Sequence, residues 1–145
     1  MGKPFRFTVA HADWCADGAA LRAVRTAVFV IEQGVPEALE WDAHDAECLH
    51  VLARDATGMP IGTGRLLPEG RIGRMAVVAH ARRHGVGGAI LEELLKAARQ
   101  RSLPELELSA QTHALAFYAR YGFVAEGGEY LDAGIPHRTM RQALK

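Results

Sequence analysis

Apolar and polar positions along this chain change period several times, and each change marks an element. Phe5, Phe7 and Val9 alternate with Arg6 and Thr8, the spacing of a first strand. From Asp17 the period lengthens: Leu21, Val24, Val28 and Ile31 share one helical face, with Asp17 placed as N-cap. An acidic, proline-containing loop follows, GVPEALEWDAHDAE. CLHVLARD and PIGTGRLLP then flank the turn-rich ATGMP and predict a hairpin, and RIGRMAVV, after the turn PEG, adds a third strand. A second helix carries Val86, Ile90, Leu94 and Ala97 in one stripe, with Leu91, Leu95 and Ala98 beside it. Glu92 and Lys96, four apart, mark its wet side. LPELELSA is a short strand, and QTHALAFYARYG a short helix stopped at Gly122, where a left-handed cap is easiest. FVAEGGEYL and GIPHRTMRQAL close the chain as neighbouring antiparallel strands.

The order β-α-β-β-β-α-β-α-β-β predicts the α+β (mixed α/β) class. The expected form is a sandwich whose mostly antiparallel sheet of about six to seven strands is covered by about three to four helices. No repeat, linker or low-complexity tract interrupts the pattern, so residues 1–145 are expected to form a single domain.

Charge and cysteine content narrow the function classes. Lys and Arg together number 17, as do Asp and Glu, so the formal net charge is zero. No bulk field draws such a chain to nucleic acid or a membrane surface, and neither is expected as a partner. Cys15 and Cys48 are too few and too far apart for a disulfide framework, which points to a reducing cytoplasm. MGKPFRFTVAHADW has no long apolar run, so neither a signal peptide nor a spanning helix is expected. Arg6 stands where a myristoylation signal needs Ser or Thr.

Candidate chemistry concentrates where the third strand of that run meets the second helix, in RMAVVAHARRHGVGGAILEELL. Gly85, Gly87 and Gly88 carry no Cβ, so a ligand can lie against the main chain at the helix entrance. The unpaired N–H groups of the first turn point at such a ligand, aided by the helix dipole, and Arg82, Arg83 and His84 add positive charge. A pyrophosphate suits this arrangement. The segment lacks the Gly-Lys-Ser/Thr ending of a triphosphate loop, and its glycines miss the dinucleotide spacing. The same glycines would also serve a tight strand-to-helix turn built for packing alone.

VVAHARRHGVGGA resembles the acyl-CoA signature of the GNAT superfamily of N-acetyltransferases, Q/R-x-x-G-x-G/A, with Arg82, Gly85 and Gly87 at its marked positions. LSAQTHALAFYARYGF resembles that family's later strand and helix, ending in an F/L-Y-x-x-x-G-F pattern at Phe117 to Phe123. The element order is similar too, so the resemblance spans nearly the whole chain. It implies acetyl-CoA as acyl donor and no metal. Main-chain groups of Met75, Ala76 and Val77 would pair with the pantetheine arm like an added strand. N–H groups from Arg83 through Val86 to Gly88 would hold the pyrophosphate. Tyr118 would lie near the thioester sulfur and protonate it as it leaves. Read without the resemblance, Tyr118 is a core aromatic sharing a helical face with Leu115.

Many members of that family place a carboxylate base on the strand before the phosphate turn, but RIGRMAVV contains none. That leaves a base elsewhere, a relayed water, or a substrate arriving neutral. Carboxylates and histidines crowd the segment EQGVPEALEWDAHDAECLH, where Glu32, Glu40, Asp42, Asp45 and His50 resemble a pattern in a branch of small bacterial GNAT proteins. That branch also tends to end in a segment like GIPHRTM. Glu32, Asp42, Asp45 and His50 of that loop are therefore candidates for binding and deprotonating a cationic acceptor, and His137, on an alternating strand that can turn it to the cleft, is a candidate for binding the substrate. The alternative is a solvated loop with capping aspartates, and for His137 a hydrogen-bonded structural role. Asp42, His44, Asp45, Cys48 and His50 match no zinc spacing. Arg65 and Arg74, among small apolar residues, are expected as buried ion-pair partners that hold the acidic loop in place.

The expectation is an acetyl-CoA-dependent N-acetyltransferase acting on a small-molecule or peptide amine, cytoplasmic, as a monomer or homodimer. The competing reading is a non-catalytic acyl-CoA-binding sensor or regulatory module, which would keep Gly85 and Gly87 without needing Tyr118 or a base.

Overall fold

A computed structural model describes residues 4–144. Seven strands form one sheet: β1 (Phe7–Ala12), β2 (Leu49–Asp55), β3 (Pro60–Leu66), β4 (Arg71–Val77), β5 (Glu105–Gln111), β6 (Val124–Asp132) and β7 (Ile135–Ala143). Their spatial order is β1-β2-β3-β4-β5-β7-β6. Every pairing is antiparallel except β4 with β5. The helices are α1 (Gly18–Arg25), α2 (Glu37–Glu40), α3 (Val86–Gln100) and α4 (Leu115–Ala119). This is the mixed α+β sandwich that the alternation of periods predicts. None of the helices is long and apolar enough to cross a membrane.

The sheet is covered on both faces. Ile90, Leu91 and Leu94 of α3 pack with Val51, Leu66, Ile72 and Leu106 in the larger core, while Leu21, Val24 and Val28 pack with Leu52 and Ala76 in the other. Val51 and Leu52 are consecutive and face opposite cores, so β2 is buried on both sides. Gly64 sets how closely α3 approaches: a Cβ there would stand 2.6 Å from Met75 Sδ and 3.0 Å from Ile90 and Leu94.

Two local expectations need correction. Asp17 occupies the N-cap position of α1 but makes no capping bond, because its carboxylate turns back to accept from the Asp13 N–H at 2.8 Å. Ile31 is 76% exposed instead of sharing the buried face of Leu21, Val24 and Val28. The chain leaves α1 through a π-helical segment, Thr26–Glu32, whose wider turn rotates the later residues off the α-helical stripe. At the end of α4, Gly122 takes φ 94°, and Phe123 N–H donates to the Tyr118 carbonyl, closing the helix with a left-handed cap.

Candidate functional site

The decisive local feature is where β4 and β5 part. They pair only at Arg71 with Glu107 and Ile72 with Leu108, after which both strands continue without bonding each other. A V-shaped gap opens along Gly73–Val77. Val78 N–H donates to Ile61 O on β3 at 2.9 Å, so alternation turns the Val77 carbonyl the other way, into the gap. At the apex β4 also bulges, the register with β3 shifting by one residue between Thr63 and Arg65. Arg74 takes φ 52° there, a left-handed conformation that costs about 1–3 kcal/mol in a residue other than glycine. A cleft of about 1020 Å³ fills the gap and extends under α2 and the β6–β7 hairpin.

At the wide end of the V stands the glycine-bearing entrance of α3. Gly85, at φ 83°, precedes the first helical residue, and a Cβ at Gly85 would meet nothing within 4 Å. At Gly87 a Cβ would only reach Phe117 and Val77, at 3.5 and 3.7 Å. Arg82, Arg83, Gly85, Val86, Gly87 and Gly88 line the cleft. The helix brings no acidic residue in its first turn, leaving the dipole and unpaired N–H groups free for an anion. His84 departs from its expected place: its ring stacks on Phe5, with centroids 4.3 Å apart, and does not line the cleft. Arg82 reaches back across the mouth, its Nε 2.8 Å from Val77 O and its terminal nitrogens 2.6 and 2.7 Å from Glu32.

The opposite wall comes from β5, α4 and β7. Tyr118 lines the cleft with a ring packed edge-on against Phe117 and Phe123. Its hydroxyl takes no hydrogen-bond partner among the described residues, and burial pushes its pKa up to about 12. His137 faces Gln111 across the β5–β7 ladder and lines the same cleft. Gln111 in turn donates to Gln33 at 2.9 Å, tying β5 to the end of the π-helical segment.

Beneath the part of the cleft lined by Glu40 and Asp42 lies a buried ion network that the acidic loop supplies. Arg25, 1% exposed, donates to Glu40 at 2.7 Å and to Asp45 at 2.7 and 3.2 Å, between the rings of Trp14 and Trp41. Arg65 donates to Asp45 at 2.7 Å and to Asp42 at 2.9 and 3.0 Å, while Arg74 pairs with Glu40 at 3.2 Å. Arg65 and Arg74 thus anchor the loop, as their setting in the sequence suggests. Asp45 and His50 do not line the cleft: Asp45 is enclosed by two guanidiniums, and His50 Nε2 donates to the Asp45 carbonyl under the ring of Trp14. Asp42 does line it, already paired, and Glu32 lines it bound to Arg82. Burial would raise the Asp45 carboxyl, but Arg25 and Arg65 overrule it and hold it low. Arg65 likewise draws the Asp42 carboxyl down to about 2. Glu40 runs the other way, raised because burial outweighs its arginine partners. Arg25, the hub of this network, escaped the sequence reading, although its signal is plain afterwards: a cation one residue from Val24, inside the apolar stripe of α1. Among the described residues, no three His, Cys, Asp or Glu side chains converge as metal ligands.

The chain and its fold have known relatives. A family model described as an acetyltransferase (GNAT) domain matches residues 12–144. An uncharacterized N-acetyltransferase of Bacillus subtilis, YjcF, is 40% identical over 121 residues, covering 81% of this chain and 86% of that protein. The crystal structure of an acyl-CoA N-acyltransferase from Pseudomonas aeruginosa is similar at 36% identity and a TM-score of 0.80, over 96% of this chain and 99% of that one. Escherichia coli ElaA aligns at 26% identity with a TM-score of 0.82, over 95% and 99%.

Proposed function

The chain belongs to the GNAT acetyltransferases, and from that premise we propose that it transfers the acetyl group of acetyl-CoA to an amine, small-molecule or peptide. The observation that carries the reading is the V between β4 and β5, with open main chain on one edge and the α3 entrance at its mouth. A pantetheine arm has alternating amides and needs a strand edge; its diphosphate needs converging N–H groups. Met75, Ala76 and Val77 supply the first, and the turn from Arg82 to Gly88 supplies the second. No phosphoryl bond is to be broken, so the loop needs neither a catalytic lysine nor magnesium.

In the reaction, the neutral amine attacks the thioester carbonyl, and N–H groups of β4 stabilise the oxyanion. Collapse of the tetrahedral intermediate breaks the C–S bond, and Tyr118 O–H donates to the departing sulfur. A phenol pushed up to about 12 remains protonated at every physiological pH. It is also reluctant to ionise, so it keeps its proton and shares it with the sulfur only as charge builds there. Its contribution is a hydrogen bond that strengthens in the transition state.

The test is incubation of the purified protein with acetyl-CoA, isotopically labelled in the acetyl group, and an amine-rich metabolite extract. Labelled acetyl on an amine nitrogen, appearing with free CoA, supports the reading. Donor binding with the label retained on the thioester would instead favour the sensor module.

A further inference from the structure

We infer that His137 is the group that takes the proton from the acceptor amine, through Nε2. The inference rests on the acetyltransfer reading above, which needs a base that β4 does not provide. Among the cleft-lining acids, Glu32 is held by Arg82, Glu40 by Arg25 and Arg74, and Asp42 by Arg65. Asp132 stands exposed on the β6–β7 hairpin. Of the cleft-lining histidines, His44 is exposed beside Glu47, and His113 sits with Nε2 2.7 Å from Gln111 Oε1.

His137 differs from all of these. It is 8% exposed, and its Nδ1 lies 2.6 Å from the Ile135 carbonyl oxygen. A carbonyl can only accept, so the proton of the neutral ring belongs on Nδ1 and Nε2 carries the bare lone pair. Nε2 has no partner among the described residues. The ring is also held in place. The β6–β7 register slips between Glu126 and Tyr130, Arg138 closes the slip by donating to Gly127 O at 2.8 and 3.1 Å, and Tyr130 is thereby set opposite His137. The two rings stack at 6.1 Å with planes 20° apart, and the Tyr130 hydroxyl is fixed by Ser109. The titratable groups next to His137 are Tyr130 from β6 and, through Gln111, His113 from β5, while Tyr118 and Asp132 line the same cleft.

The step balances. The ammonium gives one proton to Nε2, and the nitrogen lone pair then forms the C–N bond. The sulfur leaves with the C–S electrons, its developing charge held by the Tyr118 O–H, and takes up through solvent the second N–H proton that the nitrogen releases as the amide forms; His137 then returns its own proton to solvent.

The experiment follows thiol release from acetyl-CoA near neutral pH with two probe nucleophiles in excess: an alkylamine, mostly protonated there, and hydroxylamine, mostly not. His137→Gln is expected to slow the alkylamine reaction by about 10²-fold or more while changing the hydroxylamine reaction little. Equal loss with both probes, or loss with neither, would overturn the assignment to His137 alone. Absence of thiol release by wild type with either probe would overturn the acetyltransfer reading, and this one with it. If the variant does not fold, imidazole nitrogen spectra of the wild type decide: protonated Nδ1 and bare Nε2 are expected, and the opposite tautomer refutes the assignment.

Discussion

Arg82 donates from Nε to the Val77 carbonyl at 2.8 Å, capping a main-chain acceptor that would otherwise face the open V between β4 and β5. The same guanidinium is held from behind by Glu32. The side chain that opens the glycine turn therefore rests on the strand edge proposed for the pantetheine arm.

Removing the restraint should favour the donor. Glu32→Gln frees Arg82 and takes a negative charge from beside the diphosphate seat. Calorimetric titration should show acetyl-CoA binding about two- to fivefold tighter, corresponding to less than about 1 kcal/mol for an exposed pair. Arg82→Ala should weaken it. Weaker binding by Glu32→Gln would mean that Glu32 presents Arg82 to the donor instead of withholding it.

Tyr118→Phe keeps the ring contacts with Phe117 and Phe123 and removes a hydroxyl that bonds nothing among the described residues. Thermal stability should stay within a few degrees of wild type. Once an acceptor is in hand, kcat should fall by about 10²-fold with KM for acetyl-CoA little changed, since donation to sulfur matters only in the transition state.

Asp45→Asn breaks two buried guanidinium pairings at once. Leaving Arg25 and Arg65 short of a buried partner should cost about 3–5 kcal/mol, a large part of the stability of a domain this size. Urea unfolding reads this directly, and a loss under about 1 kcal/mol would show the network to be dispensable.

Acid should act on the same network with a definite sign. An unfolded aspartate titrates near 3.9, whereas Arg65 holds folded Asp42 near 2. Its contribution is therefore complete above about pH 4 and disappears as pH falls towards about 2. Melting temperature should drop across that window, and drop less in Asp42→Asn. Glu40, raised by burial, opposes this trend slightly, since its protonation at falling pH relieves a cost.

Apart from the single turn of α2 inside the acidic loop, the element order was legible because each element keeps one period: alternation in Phe5–Val9, a heptad-like stripe from Val86 to Ala98, glycine at the end of α4. Ile31 was misplaced because a π-helical segment has the same residues as an α-helix and a different turn. The glycine turn and Tyr118 stood out because each lies in a contiguous motif, and the fold brings both to one cleft. The parting of β4 from β5 could not be read, since it is a property of two strands distant in sequence. The same holds for the acidic loop. Its composition suggested a cation site, but which carboxylates remain free depends on Arg25, Arg65 and Arg74, contributed by three other elements.

The seat of the acyl donor is tested most directly by backbone amide NMR during titration with acetyl-CoA. The largest shifts should fall on Met75, Ala76 and Val77 and on the turn from Arg83 to Gly88, with Asp45 and His50 nearly unmoved. Shifts confined to other strands, or no saturable shift at all, would contradict the assignment of the V to acetyl-CoA.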